Sequence, residues 1–291
     1  MQPREPSRTA HSAAVHRAAH QVIEHGRIFS DELALRILGK SPEEIARDAV
    51  DHPQRGAMRF FIAARTRFAE DSLTKAVGRG VQQLVVLGAG LDTFAYRNPQ
   101  DELRVFEVDR PGTQKWKQKR LAEAAITQPP SLTFVPVDFE RESLTAALAE
   151  GGFDPGRPAF FTWLGVVPYL TEDAIFETLA MIGTLPQGTQ VVFDYGDPPS
   201  SRSLARQAEH EARAARVAAL GEPWLTFFEP LLLAARLRDL GFCEIQDLGP
   251  QQIVQRYLPD RREPRRLDRG GHIILAERVR KSLNRPVSGQ S

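Results

Sequence analysis

From residue 83 onward, short runs of Val, Leu and Phe recur, each followed by a turn and then by a stretch whose apolar positions repeat every three or four residues. The runs are 83–87, 104–108, 133–137, 159–163 and 190–193, and the periodic stretches include 112–125, 141–150 and 171–184. Within the runs the apolar residues are consecutive rather than alternating. That pattern belongs to strands buried on both faces, and strand–helix alternation makes the sheet parallel with helices on either side. Two later strand-like runs, 243–248 and 272–276, complete the set. The expected fold is α/β: a doubly wound, mostly parallel seven-stranded sheet.

Before residue 80 the pattern is helical, over 12–26, 31–38 and 55–77. Ser30 ahead of Asp31 and Glu32, and the string Ser41-Pro42-Glu43-Glu44, are helix-start signals. Residues 1–80 therefore read as a helical cap on an α/β domain covering 81–280. An Ala/Arg/Glu-rich stretch at 200–220 has no strand partner and reads as a lid helix, with Trp224, Phe227 and Phe228 just behind it and a further helix at 230–240. The ends, 1–9 and 281–291, read as loose.

Composition narrows the functional classes. With 42% hydrophobic and 26% charged residues, and 38 basic against 37 acidic side chains, most of the chain must fold, and no global charge draws it to nucleic acid. The basic run 256–269 also holds Asp260, Glu263, Asp268 and two prolines, so it reads as a solvated loop. No apolar run approaches the roughly 20 residues that cross a bilayer, and the N-terminus lacks the apolar core of a secretory signal. The lone Cys243 sits in an apolar run as a buried thiol and fits a cytoplasmic protein. No metal site is expected, and the oligomeric state is left open.

The first strand runs into Gly88-Ala89-Gly90-Leu91-Asp92-Thr93. In an open parallel sheet, ligands bind at the carboxyl ends of strands near the reversal of winding, so this turn should line a site. Gly88 and Gly90 permit positive φ and a close ligand approach; a tight strand-to-helix turn without ligand is the plain alternative. The second strand ends in Asp109, nineteen positions after Gly90, close to the separation of about 20 expected of a carboxylate that binds ribose hydroxyls. Asp109 could equally cap the helix beginning near Pro111. A dinucleotide fingerprint would want Gly or Ala at Thr93, and Asp92 would repel a diphosphate. A carboxylate there suits a ligand carrying an ammonium and a sulfonium, which favours S-adenosylmethionine (SAM) over NAD. Asp138-Phe139, closing the third strand, are placed to bind adenine, or else to cap a helix and fill the core.

The strings QLVVLGAGLDTFAYR, VFEVDRPGTQKWKQ and VDF resemble the leucine carboxyl methyltransferase superfamily of SAM-dependent methyltransferases, including its bacterial small-molecule members. The likeness runs from Ser7 through the string Ala64-Arg65-Thr66-Arg67-Phe68 to Tyr195. It implies a Rossmann-like methyltransferase fold in which Gly88, Ala89 and Gly90 line the methionine part of SAM, Asp109 holds the ribose, Asp138 and Phe139 flank the adenine, and Arg65 grips the cofactor carboxylate. Where the family carries a glutamate after the fourth strand, in a string like EGLxxYL, this chain has Leu164, and Asp92 is the expected substitute.

The implied activity is O-methylation of a small-molecule carboxyl or hydroxyl group. Alternatives are a protein C-terminal carboxyl methyltransferase, a NAD-dependent oxidoreductase, and a SAM-binding protein without turnover. Tyr195 and Asp194 end the fifth strand and are the better placed pocket candidates; His20, on the first helix, and His210, in the lid, are further titratable candidates. None is singled out as a base.

Overall fold

The five apolar runs and the two later strand-like runs build one sheet. Its strands are β1 (Gln83–Leu87), β2 (Arg104–Asp109), β3 (Leu132–Pro136), β4 (Phe160–Trp163), β5 (Gln190–Tyr195), β6 (Glu244–Leu248) and β7 (His272–Glu277). They lie in the order β3-β2-β1-β4-β5-β7-β6. β1 to β5 pair in parallel, while β7 runs antiparallel to both β5 and β6. Winding reverses between β1 and β4, so a crevice opens at their carboxyl ends. The computed structural model describes residues 7–138, 142–199, 204–219, 221–259 and 271–279.

All five residues of β1 are buried, because the pleat sends them alternately into two cores. Leu84 and Val86 pack with Phe60, Phe68 and Leu73 of α4 (Gly56–Val77). Val85 and Leu87 join the opposite cluster with Ile175 and Leu179 of α7 (Glu172–Thr184) and Leu233 and Leu237 of α9 (Pro230–Asp239). Each such side chain contributes about 1.5–3 kcal/mol on burial, which is why the central strand is continuously apolar. The remaining helices of the sheet region are α5 (Pro111–Glu123), α6 (Leu144–Glu150), α8 (Leu204–Ala219) and α10 (Pro250–Tyr257).

The N-terminal helices α1 (Arg8–Ile23), α2 (Leu33–Leu38) and α3 (Pro42–Asp51) form a third cluster. In it Ala14, Ala18, Ile37 and Ile45 pack with Leu91, in the turn after β1, and Leu121 of α5. Ser41 and Glu44 make the full capping box that the sequence signals for α3. α1 begins earlier than its apolar period suggests. The Ser7 side chain accepts the amide of Ala10, so Thr9 is helical rather than part of a loose end. The start signal at Ser30 is not used. α2 begins at Leu33 without a side-chain cap, and the Ser30 hydroxyl instead donates to Gln21.

Among the described residues no helix is long and apolar enough to cross a membrane, and no group of three or more metal-ligating side chains gathers. Cys243 is half-buried, with its Sγ 3.8 Å from the Gly241 carbonyl, rather than enclosed as its apolar run suggested. The basic run beyond Pro259 and the C-terminal stretch 281–291 lie outside the described residues.

Candidate cofactor site

The chain leaves β1 through Gly88 and Gly90, whose φ angles of +66° and +49° lie in the left-handed region that glycine enters without strain. The amides of Gly88 and Ala89 both donate to the Val108 carbonyl, at 2.8 and 3.1 Å, which clamps the turn to the end of β2. The Gly90 amide donates to Oδ2 of Asp109 at 2.6 Å, and the Arg110 amide donates to Oδ1 at 2.7 Å. Asp109 is therefore a half-buried acid beside the glycine turn, and each of its oxygens retains a lone pair for a hydroxyl donor. Burial pushes its carboxyl above the ordinary range, against the pull of the two amides. It caps no helix: α5 starts at Pro111 behind Arg110 with no side-chain cap.

The glycines admit protein rather than an open space. A Cβ on Gly88 would lie 2.4 Å from Cγ2 of Val166 in the turn after β4, and one on Gly90 would lie 2.8 Å from Cβ of Ala10 in α1. The expectation that the missing side chains leave room for a ligand is corrected to that extent. They let the β4 turn and α1 close on the β1 turn. Asp92 stands half-buried in that turn, with Oδ1 accepting the Phe94 amide at 2.8 Å in a local Asx turn. Asp138 lies at the next strand tip, where the Val137 amide is bonded to the Asp109 carbonyl at 2.9 Å. Its own amide donates to Glu142 at 2.7 Å, and α6 is capped by Ser143, so Asp138 is not that helix's cap. Phe139 lies outside the described residues.

Arg65 reaches the same edge from α4. Its Nη1 donates to Oδ2 of Asp194 at 2.7 Å, and Oδ1 of Asp194 accepts the Gly165 amide at 2.6 Å. Gly165 has a φ of +73°, and a Cβ there would sit 2.7 Å from Nη2 of Arg65. Helix α4, the tip of β5 and the turn after β4 are thus locked by one buried ion pair, while Nε of Arg65 is buried without a protein partner. Leu164 packs half-buried against the α4 cluster. The acid that meets the β4 turn is Asp194; Asp92, expected to stand in for the absent glutamate, bonds its own turn. Beyond Gly165, the Leu225 amide donates to the Pro168 carbonyl at 2.7 Å, and Glu222 Oε2 accepts the Thr9 amide at 3.0 Å. The start of α1 and the segment after α8 therefore meet at the mouth of the crevice.

Two candidates are corrected by the alternation of β5 and by the packing of the cap. Asp194 faces α4, so Tyr195 faces the other core, where it is 2% exposed. Its hydroxyl donates to Asp247 at 2.5 Å and its ring stacks on His272 with centroids 4.8 Å apart. It lines no acceptor pocket. His20 is 1% exposed, and its Nε2 accepts the amides of Ile28 and Phe29 at 3.2 and 3.4 Å, which pins the turn between α1 and α2. It is a structural histidine. His210 is outside the residues whose side chains are described.

A buried pair just behind Asp109 is among those that escaped the sequence reading. Glu107, two residues before Asp109, accepts from Lys117 of α5 at 2.6 Å, and both are fully enclosed. Burial pushes the Glu107 carboxyl up to about 7, with Lys117 opposing the shift. The available signal was an acid inside an apolar strand, ten residues ahead of a lysine on the next helix.

A doubly wound sheet with a glycine turn and a strand-tip acid at its switch point defines the class of nucleoside-binding α/β proteins. Within that class, the family model for leucine carboxyl methyltransferase matches residues 10–183, more than half of the 291 residues, and the chain belongs to that family. It is 35% identical over 208 residues to the "Putative S-adenosyl-L-methionine-dependent methyltransferase YktD" of Bacillus subtilis, covering 69% of this chain and 66% of the relative. A relative in Mycolicibacterium gilvum with the same description is 32% identical over 225 residues, covering 76% of this chain and 68% of its own length. The chain spans about half to two thirds of the length of several other curated relatives. Among solved structures, a "putative methyltransferase" of Thermobifida fusca superposes with a TM-score of 0.59 at 17% identity, over 94% of this chain and 95% of that one. A DUF574 family protein of Streptomyces avermitilis gives 0.53 at 18% identity, over 91% and 97%. These likenesses show the shared fold.

Proposed function

We propose that the protein is a SAM-dependent methyltransferase acting on a small-molecule carboxyl or hydroxyl oxygen. The observation that carries this reading is the 2.6 Å bond between the Gly90 amide and Asp109, which joins the glycine turn to a strand-tip acid at the switch point. Family membership and the relatives' descriptions support it.

The residues present fit the cofactor. Asp109 has lone pairs for a ribose diol, Asp138 suits an adenine amino group, and Asp92 with Asp109 gives the crevice the negative charge that a sulfonium and an ammonium require. Arg65, held by Asp194 and retaining an unpartnered Nε, suits the cofactor carboxylate. Bound SAM supplies an electrophilic methyl group. What the protein must then supply is alignment of an acceptor oxygen with that methyl, which can be worth several kcal/mol without acid–base chemistry. The Tyr195 hydroxyl and the His20 imidazole are committed to Asp247 and to backbone amides, so neither serves as base. An acceptor already anionic at neutral pH needs none, and this favours a carboxylate.

Calorimetric titration with S-adenosylhomocysteine (SAH) and NADH, followed by transfer of labelled methyl from SAM to panels of small carboxylates, phenols and C-terminal peptides, tests the reading. SAH binding and base-labile methyl esters of small acids are expected. Selective NADH binding would overturn the proposal, and transfer confined to peptides would move it to protein carboxyl methylation.

A further inference from the structure

The cap and the cofactor turn are joined by a buried chain of alternating charges. Arg17, in the middle of α1, donates from Nη2 to the Leu91 carbonyl at 2.6 Å and from Nε to Asp31 Oδ2 at 2.8 Å. Asp31 is 1% exposed, and Arg17 and Arg97 hold its carboxyl below the ordinary range against the opposing effect of burial. Arg97 extends the chain: its Nε lies 3.7 Å from Asp31 Oδ1 and donates to the Thr93 hydroxyl at 3.1 Å, and its Nη1 donates to Glu70 of α4 at 3.0 Å. The Arg97 guanidinium also lies 4.8 Å from the Phe29 ring centroid. Leu91 and Thr93 are the two neighbours of Asp92. The cap therefore grips the turn directly at Leu91 through the buried Arg17–Asp31 pair, and meets it at Thr93 through the half-buried Arg97.

Resting on the reading of this crevice as the SAM site, we propose that Arg17 and Asp31 are positioning residues for the cofactor. They touch no reacting atom. Arg17 holds the Leu91 carbonyl and Asp31 holds Arg17, beside the Arg97 guanidinium that bonds the Thr93 hydroxyl, so that the Gly88–Asp92 turn is set before the cofactor arrives, and the N-terminal cap is thereby part of the cofactor site as well as a cover for the acceptor. The physical reason is that the Leu91 carbonyl is enclosed. Without the guanidinium it must turn toward another donor, and rotating that peptide plane displaces the adjacent Asp92. Preorganisation of this kind acts on ligand affinity, since a turn that is already ordered loses less freedom on binding.

The test compares Arg17→Met, Arg17→Lys and Asp31→Asn with Arg59→Met, which breaks the Arg59–Glu24 pair at the far end of α1 and leaves the turn untouched. In the full chain, SAH affinity, KM for SAM, kcat and amide hydrogen exchange at Asp92 and Phe94 are measured. Arg17→Met should weaken SAH and raise KM by about 10-fold, the scale of one lost hydrogen bond to a charged group, with kcat little changed. Exchange at Asp92 and Phe94 should quicken without ligand. Arg17→Lys should recover part of the affinity by keeping the charge beside Asp31, and Asp31→Asn provides the milder variant if Arg17→Met fails to fold. Arg59→Met should lower Tm while SAH affinity and local exchange stay at the wild-type level. Unchanged SAH affinity and unchanged exchange in both Arg17→Met and Asp31→Asn would overturn the proposal, as would an equal loss in Arg59→Met. If the wild type fails to bind SAH, the functional reading falls, and the exchange measurement still decides whether Arg17 orders the turn.

Discussion

Replacing Gly88 by alanine perturbs the site in a way whose magnitude can be worked out. Two effects act together. The residue has a φ of +66°, where a Cβ costs roughly 1–2 kcal/mol, and that Cβ would stand 2.4 Å from Cγ2 of Val166. Valine is stiff at χ1, so the contact is relieved only by moving the β4 turn or accepting an off-rotamer side chain, at about 1–3 kcal/mol. Gly88→Ala should therefore lose about 2–5 kcal/mol of stability in denaturant unfolding, and SAH affinity should fall as the turn shifts. Val166→Ala removes the clashing methyl groups and leaves the backbone term. In the double variant about 1–3 kcal/mol should return, measured as the coupling energy of a double-mutant cycle. A coupling energy near zero would refute the close approach of the β4 turn to Gly88, and a loss below about 1 kcal/mol in Gly88→Ala would refute the left-handed turn.

Other perturbations separate the remaining parts of the site. Arg65→Met leaves the buried Asp194 carboxylate without its cation and should cost about 3–5 kcal/mol, part of which returns in Arg65→Met/Asp194→Asn; additive losses in unfolding experiments would show that the pair is not coupled. Asp109→Ala should weaken SAM binding by about 1–3 kcal/mol by calorimetry, through a ribose diol left without its acceptor, and an unchanged affinity would place the ribose elsewhere. For Glu107, the folded carboxyl at about 7 lies above its ordinary 4.5, so the folded state holds a proton that the unfolded state releases. Stability relative to Glu107→Gln should be greatest below pH 4.5 and should fall, by an amount on the order of 3 kcal/mol, as pH rises to 7. Parallel stability–pH curves for the two proteins would contradict this.

The sheet was legible because the centres of β1, β4 and β5 are buried on both faces and are written as apolar runs, Leu84–Leu87, Phe160–Phe161 and Val191–Phe193, and because Gly88 and Asp109 occupy the strand tips where such a sheet binds ligands. Local signals served well where they act within one turn of helix, as at Ser41 and Glu44. They failed at Ser30, where long-range contacts won: Asp31, read as a first-turn acid, turns inward to Arg17 fourteen residues earlier. Tyr195 shows the limit of reading a strand end. One residue of register decides whether a side chain meets Arg65 or Asp247, and the run 190–195 is buried throughout, so no polar alternation marks the faces. The Arg17 and Arg65 pairs were harder to read, and only the second joins elements distant in sequence, 129 residues apart. On a helix an arginine bound for the interior looks like one bound for water until its acid partner is located.

The account rests on the crevice between the glycine turn and Asp109 being the seat of an adenosyl cofactor. A crystal structure of the protein grown with SAH tests this most directly. The account predicts ribose oxygens at about 2.7 Å from the Asp109 carboxylate, a usual O–H···O distance, with the amino-acid end of the ligand beside Gly88–Gly90 and its carboxylate toward Arg65. SAH bound at any other place, with this crevice left to solvent, would contradict it.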